Sequence, residues 1–261
     1  MSAKRVLVTG ATSGLGRELA VQLASRGWRV ALTGRREAQL AQAAEAVRSA
    51  GGTALALLGS VSEPGVVAAH YARIRKEWGG LDWAILNAGV GDRMDARRFD
   101  AKAVVWTFET NVFGVAYWLE AVLPDMVAAG SGTVAAVSSL AAFRGLPAAG
   151  PYSASKAAVN ALLESARVDL AGTGVRVVTV CPGFVKSELT GRNEAGQMPF
   201  LLETDDGVRR MIAGIEAGRR VVHFPWQLSL GVIYLLHNLP GWLYDRLGSR
   251  LRREKRPAKQ P

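Results

Sequence analysis

The chain has 261 residues, 49% of them hydrophobic and 21% charged, so it can bury a sizeable core as one large α/β domain. Its formal net charge is +10, but residues 245–261 hold seven Lys or Arg against Asp245 and Glu254 and therefore supply +5 of that charge. The rest of the chain is only mildly basic, which argues against a nucleic-acid-binding protein.

Cysteine and histidine are too sparse to indicate a disulfide or a metal centre. Cys181 is the single cysteine, which excludes an internal disulfide and fits a reducing compartment. His70, His223 and His237 are scattered, and no Cys/His cluster has the spacing of a metal site, so we expect no metal. The apolar run at residues 6–8 is too short for a signal-peptide core, so we expect a cytoplasmic protein.

Short apolar segments alternate with amphipathic segments of helical length, and this alternation predicts a parallel sheet covered by helices on both faces. The predicted strands are residues 5–9, 29–33, 53–58, 81–86, 132–138, 176–181 and 220–224. The predicted helices are residues 15–26, 35–50, 66–78, 101–129, 152–171 and 205–217. We therefore predict a single doubly wound, Rossmann-type α/β domain over residues 1–225, with an apolar helical extension and basic tail over residues 226–261. In such sheets ligands bind beyond the carboxyl ends of the strands.

A glycine-rich turn follows the first strand and opens the first helix. Glycines without Cβ atoms let the backbone approach a pyrophosphate, and the helix N-terminus offers free N–H groups and a positive dipole end. The spacing is G-x-x-x-G-x-G and departs from the G-x-G-x-x-G pattern of many dinucleotide sites. We expect the turn to bind the phosphates of a dinucleotide. The expected contacts are Gly10, Thr12, Ser13, Gly14, Leu15 and Gly16.

The second strand ends on Gly34-Arg35-Arg36, where NAD-binding sheets usually carry a carboxylate for the ribose 2′-hydroxyl. Two guanidinium groups suit bidentate recognition of a 2′-phosphate instead. Solvated arginines in the first turn of a helix are the alternative, but helix starts prefer acidic residues. The pattern therefore favours NADP(H) over NAD(H).

Polar residues also follow the later strands. Asn87-Ala88-Gly89 follows the fourth strand, Ser138 and Ser139 follow the fifth, and Pro182-Gly183 follows the sixth. Asparagine can bridge strand ends through its amide, and small residues leave room for a cofactor. Each pattern alone also fits simple strand punctuation.

Tyr152 and Lys156 are four residues apart and share one helical face. A nearby ammonium favours the phenolate and brings tyrosine towards a pKa useful for acid–base catalysis. Asn111 lies in an otherwise apolar helix, where asparagine is mildly unfavourable, and a polar contact inside a site would explain it. A surface Tyr/Lys pair and an exposed asparagine are the alternatives.

Together these residues resemble the classical short-chain dehydrogenase/reductase family over roughly residues 4–225. The resemblance rests on an ordered set of motifs rather than on any single one. The set is Thr9-Gly10-x-x-x-Gly14-x-Gly16, Asn87-Ala88-Gly89, Asn111, Ser139, Tyr152-x-x-x-Lys156 and Pro182-Gly183.

The resemblance implies catalytic roles for four residues. Tyr152 would be the general acid in carbonyl reduction and the base in the reverse reaction, and Ser139 would hold the substrate oxygen against it. Ser139 is preferred over Ser138 because the family serine lies thirteen residues before the tyrosine. Lys156 would bind the nicotinamide ribose and lower the pKa of Tyr152, and Asn111 would hold a water that relays protons to Lys156.

The resemblance also implies cofactor contacts beyond the glycine turn and the two arginines. Two positions depart from the family pattern: Ser60 replaces a frequent Asp near the adenine, and Ser187 replaces a frequent Thr near the carboxamide. The implied contacts are Ser60, Val61, Asn87, Ala88, Gly89, Tyr152, Lys156, Pro182, Gly183, Val185 and Ser187.

The loops after strands four, five and six would form the substrate side of the site, namely residues 91–99, 140–151 and 184–200. Apolar residues in these loops, including Phe143 and Phe184, favour a hydrophobic ketone, aldehyde or secondary alcohol, bound together with Ser139 and Tyr152. Core closure is the alternative role for the apolar residues. Polar residues between 186 and 200 suit a mobile lid.

The extension over residues 226–261 is the least family-like part. No formally charged residue occurs between Val221 and Tyr244, but Pro225, Pro240 and Gly241 argue against a transmembrane helix. We expect this segment to pack on the Rossmann-type domain, on another subunit, or into a membrane interface. Its tryptophans and basic tail would suit the surface of an anionic bilayer.

The leading functional hypothesis is an NADP(H)-linked oxidoreductase that acts on a small-molecule carbonyl or alcohol. A nucleotide sensor without redox turnover and a peripheral membrane protein that acts on lipids by non-redox chemistry are the alternatives. The resemblance also implies a homodimer or homotetramer packed through residues 101–129 and 152–171.

Overall fold

A computed structural model describes residues 3–192 and 198–254, and over these residues seven strands form one parallel sheet in the order β3-β2-β1-β4-β5-β6-β7. The predicted doubly wound α/β fold is confirmed. The strands are β1 (Arg5–Thr9), β2 (Arg29–Gly34), β3 (Thr53–Leu58), β4 (Trp83–Leu86), β5 (Gly132–Val137), β6 (Val175–Pro182) and β7 (Val221–Phe224).

The helices cover both faces of this sheet. The main helices are α1 (Gly14–Ala24), α2 (Glu37–Ser49), α3 (Pro64–Trp78), α4 (Ala101–Phe108), α5 (Gly114–Ala128), α6 (Gly150–Asp169) and α7 (Thr204–Glu216). Successive strand residues point to opposite faces, so Val6 and Val8 enter one core with residues of α1, α2 and α7, while Leu7 enters another with residues of α3, α5 and α6. Two apolar cores on opposite faces define the layered architecture.

The strand order reverses between β1 and β4, because β1 pairs with β2 on one side and with β4 on the other. Connections from these strands diverge to opposite faces and leave a crevice at their carboxyl ends. The fold thus places the glycine turn after β1 beside the residues that follow β4.

Two local features differ from the predicted elements. The predicted helix at 101–129 is interrupted by a π-type turn at Glu109–Phe113, which contains Asn111. The predicted helix at 35–50 begins at Glu37, so Arg35 and Arg36 precede α2, and Arg36 is its N-cap residue. The backbone at Arg36 is extended, which the helical pattern alone did not indicate.

After β7 the chain forms a short helix α8 (Trp226–Leu230), a π-type turn (Gly231–Leu236) and helix α9 (Gly241–Glu254). In the described part of the chain, every helix is too short or too polar to cross a bilayer. Residues 193–197 of the predicted substrate loop and residues 255–261 of the predicted basic tail lie outside the described residues.

Candidate active site

A cleft of about 410 Å³ opens at the carboxyl ends of the strands. Most of the sequence-predicted site residues line it, and they come from six different strand ends and from α6. They are Gly10, Thr12, Ser13, Gly14, Leu15, Arg35, Arg36, Ser60, Val61, Asn87, Ala88, Gly89, Ser139, Tyr152, Lys156, Pro182, Gly183, Val185 and Ser187.

The glycine turn is shaped by close backbone approaches. Gly10 has φ +66°, and a Cβ there would lie 2.8 Å from the Cα of Ala88. A Cβ on Gly16 would lie 2.3 Å from the carbonyl oxygen of Gly10 and 2.6 Å from Nδ2 of Asn87. Gly16 therefore does not line the cleft but lets the start of α1 pack directly under the turn. The N-terminus of α1 with its free N–H groups consequently faces the cleft, as a pyrophosphate requires.

Side-chain hydrogen bonds join the ends of β1 and β4. Nδ2 of Asn87 donates to the carbonyl oxygen of Thr9 at 3.0 Å, and the Thr9 hydroxyl accepts from the backbone N–H of Ala88 at 3.0 Å. These bonds hold the two strand ends at a fixed separation across the crevice. The amide of Asn87 thus bridges strand ends, as its position in the sequence predicts.

Arg36 reaches back over the glycine turn. Its Nη2 donates to the hydroxyls of Thr12 at 3.0 Å and Ser13 at 2.8 Å, and its Nη1 contacts both carboxylate oxygens of Glu188 at 3.0 and 3.1 Å. The hydroxyl of Ser13 is not engaged in capping α1, although Ser13 is the N-cap residue. A guanidinium and two hydroxyls thus converge at the end of the cleft beside β2, a donor set that suits a phosphate. Arg35 is exposed and borders the same cleft.

Tyr152 and Lys156 project from the first two turns of α6 into the opposite end of the cleft. Nζ of Lys156 donates to the carbonyl oxygen of Val137 at 2.7 Å and lies 5.7 Å from the centre of the Tyr152 ring. Burial lowers the pKa of Lys156 to about 8, because the apolar surroundings disfavour its charge. The lysine is therefore poised to change its charge close to neutral pH.

Burial raises the pKa of Tyr152, and a hydrogen bond with the Ser139 side chain acts in the opposite direction. We expected the ammonium of Lys156 to lower the pKa of Tyr152, but in this structure burial outweighs the effects that would favour the phenolate. A phenol with a raised pKa keeps its proton at neutral pH, which suits a general acid.

The two serines after β5 have different surroundings. The Ser138 hydroxyl is buried and donates to the backbone carbonyl of Lys156 at 3.1 Å, so it fixes β5 to α6. The Ser139 hydroxyl accepts from the backbone N–H of Ala141 at 3.1 Å and also contacts Tyr152. The geometry thus supports Ser139 as the residue beside the tyrosine.

Asn111 is fully buried beneath the cleft rather than in its lining. Its Oδ1 accepts from the N–H of Val90 at 2.8 Å, and its Nδ2 donates to the carbonyl of Val90 and to the Ser155 hydroxyl, both at 2.9 Å. These bonds tie the segment after β4 to the π-type turn and to α6. Asn111 therefore holds together the three elements that surround Lys156.

The positions that depart from the family pattern make local hydrogen bonds. The hydroxyl of Ser60 lies 2.7 Å from that of Ser62. The N–H of Ser187 donates to the Thr190 hydroxyl at 2.8 Å, and that hydroxyl donates to the carbonyl of Val185 at 2.7 Å. Thr190 thus organises the turn after β6, next to Ser187.

Phe143 and Phe184, predicted as substrate contacts, are not among the residues that line the cleft. The Phe143 ring instead faces His237 at 6.1 Å, because the extension after β7 packs against this loop. Trp106, Leu189 and Val90 supply apolar surface to the cleft in their place.

Sequence reasoning also missed Trp106, Thr110, Glu188 and Thr190. Trp106 and Thr110 are four residues apart, and this spacing was the available signal for their shared face. Glu188 was hidden because nothing local to the loop after β6 indicates a contact with Arg36. Over residues 3–192 and 198–254, no group of His, Cys, Asp and Glu side chains could hold a metal ion.

A doubly wound sheet has a glycine turn at its switch point, and Ser139 together with Tyr152 and Lys156 of α6 lines the cleft at the carboxyl ends of its strands. This arrangement is typical of dinucleotide-dependent oxidoreductases. The family model described as short chain dehydrogenase matches residues 4–197. The chain belongs to the short-chain dehydrogenase/reductase family.

Similar proteins agree with this assignment. The chain is 46% identical over 252 residues to an uncharacterized oxidoreductase of Myxococcus xanthus, covering 97% of this chain and 99% of the relative. It is 35% identical over 193 residues to a 3beta-hydroxysteroid dehydrogenase of Mediterraneibacter gnavus, covering 74% and 70% of the two chains. The crystal structure of a short-chain dehydrogenase/reductase from Burkholderia phymatum in complex with NAD covers 100% of this chain and 98% of that chain, with 25% identity and a TM-score of 0.80. The protein is therefore an oxidoreductase of a fold that binds a nicotinamide cofactor.

Proposed function

We propose that the protein is an NADP(H)-dependent oxidoreductase that interconverts a ketone or aldehyde and the corresponding alcohol. The observation that carries this proposal is the arrangement of one cleft: Ser139, Tyr152 and Lys156 stand at one end, and Arg36 stands over the glycine turn at the other. Such a cleft can hold an elongated dinucleotide with its nicotinamide beside Tyr152 and its adenosine ribose beside Arg36.

The bound nicotinamide cofactor supplies or accepts the hydride. In carbonyl reduction Tyr152 donates its proton to the substrate oxygen, and Ser139 holds that oxygen by a hydrogen bond. Because burial raises the pKa of Tyr152, the phenol keeps its proton until the developing alkoxide accepts it. Placement of the oxygen between two donors also stabilises its growing negative charge.

Lys156 stabilises the deprotonated form of Tyr152. Its ammonium, held by the carbonyl of Val137, favours the phenolate that remains after proton transfer. The catalytic set further includes Asn111, which positions Lys156 by tying the segment after β4 to α6. In this account Asn111 acts through the lysine rather than on the substrate, and its proposed water contact remains a prediction.

The preference for NADP(H) over NAD(H) rests on Arg36 together with Thr12 and Ser13. A guanidinium and two hydroxyls can each donate to a 2′-phosphate, whereas a 2′-hydroxyl would leave the guanidinium without its best partner. Glu188 now accepts from the same guanidinium, so a phosphate has to replace that carboxylate. The similar structure from Burkholderia phymatum is a complex with NAD, and titration of this chain with NADPH and NADH tests the preference.

We propose a hydrophobic substrate, since Trp106, Val90 and Leu189 contribute apolar surface to the cleft. The relative from Mediterraneibacter gnavus is named for a steroid substrate, which supports an apolar carbonyl or alcohol compound as the class to screen first.

We also propose a cytoplasmic enzyme, in keeping with its single, buried cysteine.

We further propose that the protein forms a homodimer or homotetramer through α4, α5 and α6. Val105 and Phe113 are large apolar residues left exposed along α4 and the π-type turn, and Val168 is exposed on α6. Paired helices would bury these side chains. Light scattering behind size exclusion should give a multiple of the chain mass, and a monomer would refute the proposal.

The proposed activity is tested by following NADPH absorbance with a panel of apolar ketones and aldehydes, alongside Tyr152→Phe. We expect turnover by the native protein and a loss of roughly 100-fold or more in the variant, because general acid catalysis contributes about 10²–10⁴-fold. Tight NADPH binding without turnover of any member of the panel would favour a nucleotide sensor instead.

A further inference from the structure

The segment after β7 exposes an unusual number of large apolar side chains. We define the apolar surface as Trp226, Leu230, Tyr234, Leu235, Trp242 and Leu247. Four of them, Trp226, Tyr234, Leu235 and Trp242, are 61–69% exposed. Single exposed apolar residues are common, but six within 22 residues of sequence indicate a surface that is covered in use.

This segment is fixed to the loop that joins the two catalytic residues Ser139 and Tyr152. Nη1 and Nη2 of Arg144 donate to the carbonyls of His237 at 2.9 Å and Leu239 at 3.2 Å. The guanidinium also lies 4.5 Å from the centre of the Tyr244 ring. Because these contacts come from both the turn before α9 and α9 itself, the apolar surface has a defined position relative to the active site.

A second contact places the segment beside the cleft. Gly183 lines the cleft, and a Cβ at Gly183 would lie 2.7 Å from Cδ2 of Leu228 in α8. The wall of the cleft therefore packs directly against α8, the helix that carries Trp226 and Leu230 of the apolar surface.

Charge distinguishes between possible partners. Arg246 is exposed on α9, and residues 245–261 carry a net charge of +5 in the sequence, with Asp245 and Glu254 included. A two-fold dimer made by this surface would bring the positive charges of both copies together, which is repulsive. An anionic lipid surface instead attracts them, and Trp and Tyr side chains are the residues that favour the level of the lipid headgroups.

We propose that the apolar surface docks on an anionic bilayer and that the substrate is a lipophilic carbonyl or alcohol compound taken up from that bilayer. The substrate part rests on the proposed oxidoreductase function, whereas the docking part does not. The helices of the segment would lie in the interface with their apolar side chains inserted, as amphipathic basic helices do.

The test is co-sedimentation of the full-length protein with vesicles of phosphatidylcholine alone or of equal parts phosphatidylcholine and phosphatidylglycerol. We expect strong binding only to the anionic vesicles. Trp226→Ser combined with Trp242→Ser should weaken binding by roughly tenfold or more, since deep apolar anchors are lost. The control Val221→Ser removes an exposed apolar side chain at the amino end of β7 and should leave binding unchanged.

A charge pair of variants isolates the electrostatic part. Arg246→Glu should weaken binding to anionic vesicles by roughly tenfold, because each basic residue near the surface contributes appreciably. Arg219→Glu makes the same charge change at an exposed position at the end of the sheet away from the cleft and should have little effect. NADPH fluorescence titration of each variant verifies that the fold is intact.

The outcomes separate the two proposals. Equal sedimentation of the native protein and the double tryptophan variant overturns docking, even if NADPH turnover is observed. A lower mass of that variant in light scattering, without vesicle binding by the native protein, overturns docking in favour of a contact between copies. Sedimentation that depends on Trp226, Trp242 and Arg246, but without turnover of any carbonyl compound, supports docking and refutes the proposed carbonyl and alcohol activity.

Discussion

Replacement of Arg36 by glutamine removes the guanidinium that reaches over the glycine turn while keeping a polar side chain of similar length. In the structure this group already donates to the hydroxyls of Thr12 and Ser13 and to the carboxylate of Glu188. When NADPH binds, we expect the Nη1 donor to pass from Glu188 to the 2′-phosphate. The variant therefore loses a charge-assisted contact that only the phosphorylated cofactor makes.

The magnitude follows from the surroundings of the guanidinium. Hydrogen bonds to charged groups contribute about 1.5–3 kcal/mol each. The Arg36 side chain is 41% exposed, so solvent screening reduces this to about 1–2 kcal/mol in total. That range corresponds to a Kd for NADPH that is about 5–30-fold weaker, whereas the Kd for NADH should change by less than about twofold.

Fluorescence titration of NADPH and NADH with the native protein and the variant measures this difference directly. Arg35→Gln is the matched comparison, because Arg35 is an exposed arginine that borders the same cleft. Added salt should weaken NADPH binding more than NADH binding. Equal weakening of both cofactors in Arg36→Gln, or a larger effect of Arg35→Gln, would refute the assignment of the phosphate to Arg36.

Four further predictions concern the same cleft. Glu188→Gln removes the carboxylate that competes with the phosphate, so NADPH should bind up to about fivefold tighter in titration while NADH is unaffected, and weaker NADPH binding would contradict the competition. Carbonyl reduction should decline as the pH rises through about 8, because deprotonation of Lys156 removes the charge that supports the phenolate; a pH profile of kcat/KM that is flat between 7 and 9 would contradict this. The pKa of Lys156 is about 8 in the folded state, below its ordinary value of 10.5, so folding disfavours the charged lysine. The free energy of unfolding should therefore fall as the pH is lowered from 10.5 towards 8. Denaturant unfolding at several pH values measures this trend. Gly16→Ala places a Cβ against the carbonyl of Gly10 and the amide of Asn87, so thermal unfolding should show a loss of about 1–3 kcal/mol together with weakened cofactor binding, and a fully native variant would refute the close packing of this turn.

The sheet could be predicted from the sequence because each buried parallel strand is a short apolar run closed by Gly, Pro or a polar residue. The glycine turn could also be predicted from the sequence, since Gly10, Gly14 and Gly16 occur where a strand must turn into a helix. Asn87 and Tyr152, whose positions depend only on chain order and strand ends, both line the cleft.

Contacts between distant segments were harder to predict. The helical pattern did not reveal that α2 begins at Glu37, so it could not indicate which arginine turns back over Thr12 and Ser13. Phe143 is apolar and near Ser139 in sequence, yet the segment after β7 draws it towards His237. Glu188 meets Arg36 across 152 residues of chain, and no local pattern encodes such a pair.

For Asn111 the sequence indicated an unusual position but did not indicate its hydrogen-bond partners. A polar residue in an apolar helix indicated a special role, and the structure places it in a π-type turn with its amide bonded to Val90 and Ser155. The turn arises where the helix passes the segment after β4, so its cause is tertiary. Propensity indicates that the residue is unusual there, but not which groups it joins.

Transfer of deuterium from NADPH, deuterated at the transferring position, to an apolar ketone tests whether the protein reduces a carbonyl with Tyr152 as the acid. Mass spectrometry of the product alcohol should show one deuterium per molecule with the native protein and essentially no labelled alcohol with Tyr152→Phe, although the variant should still bind NADPH. Bound NADPH that transfers no deuterium to any ketone or aldehyde, or a Tyr152→Phe variant that transfers it at the native rate, would contradict the account.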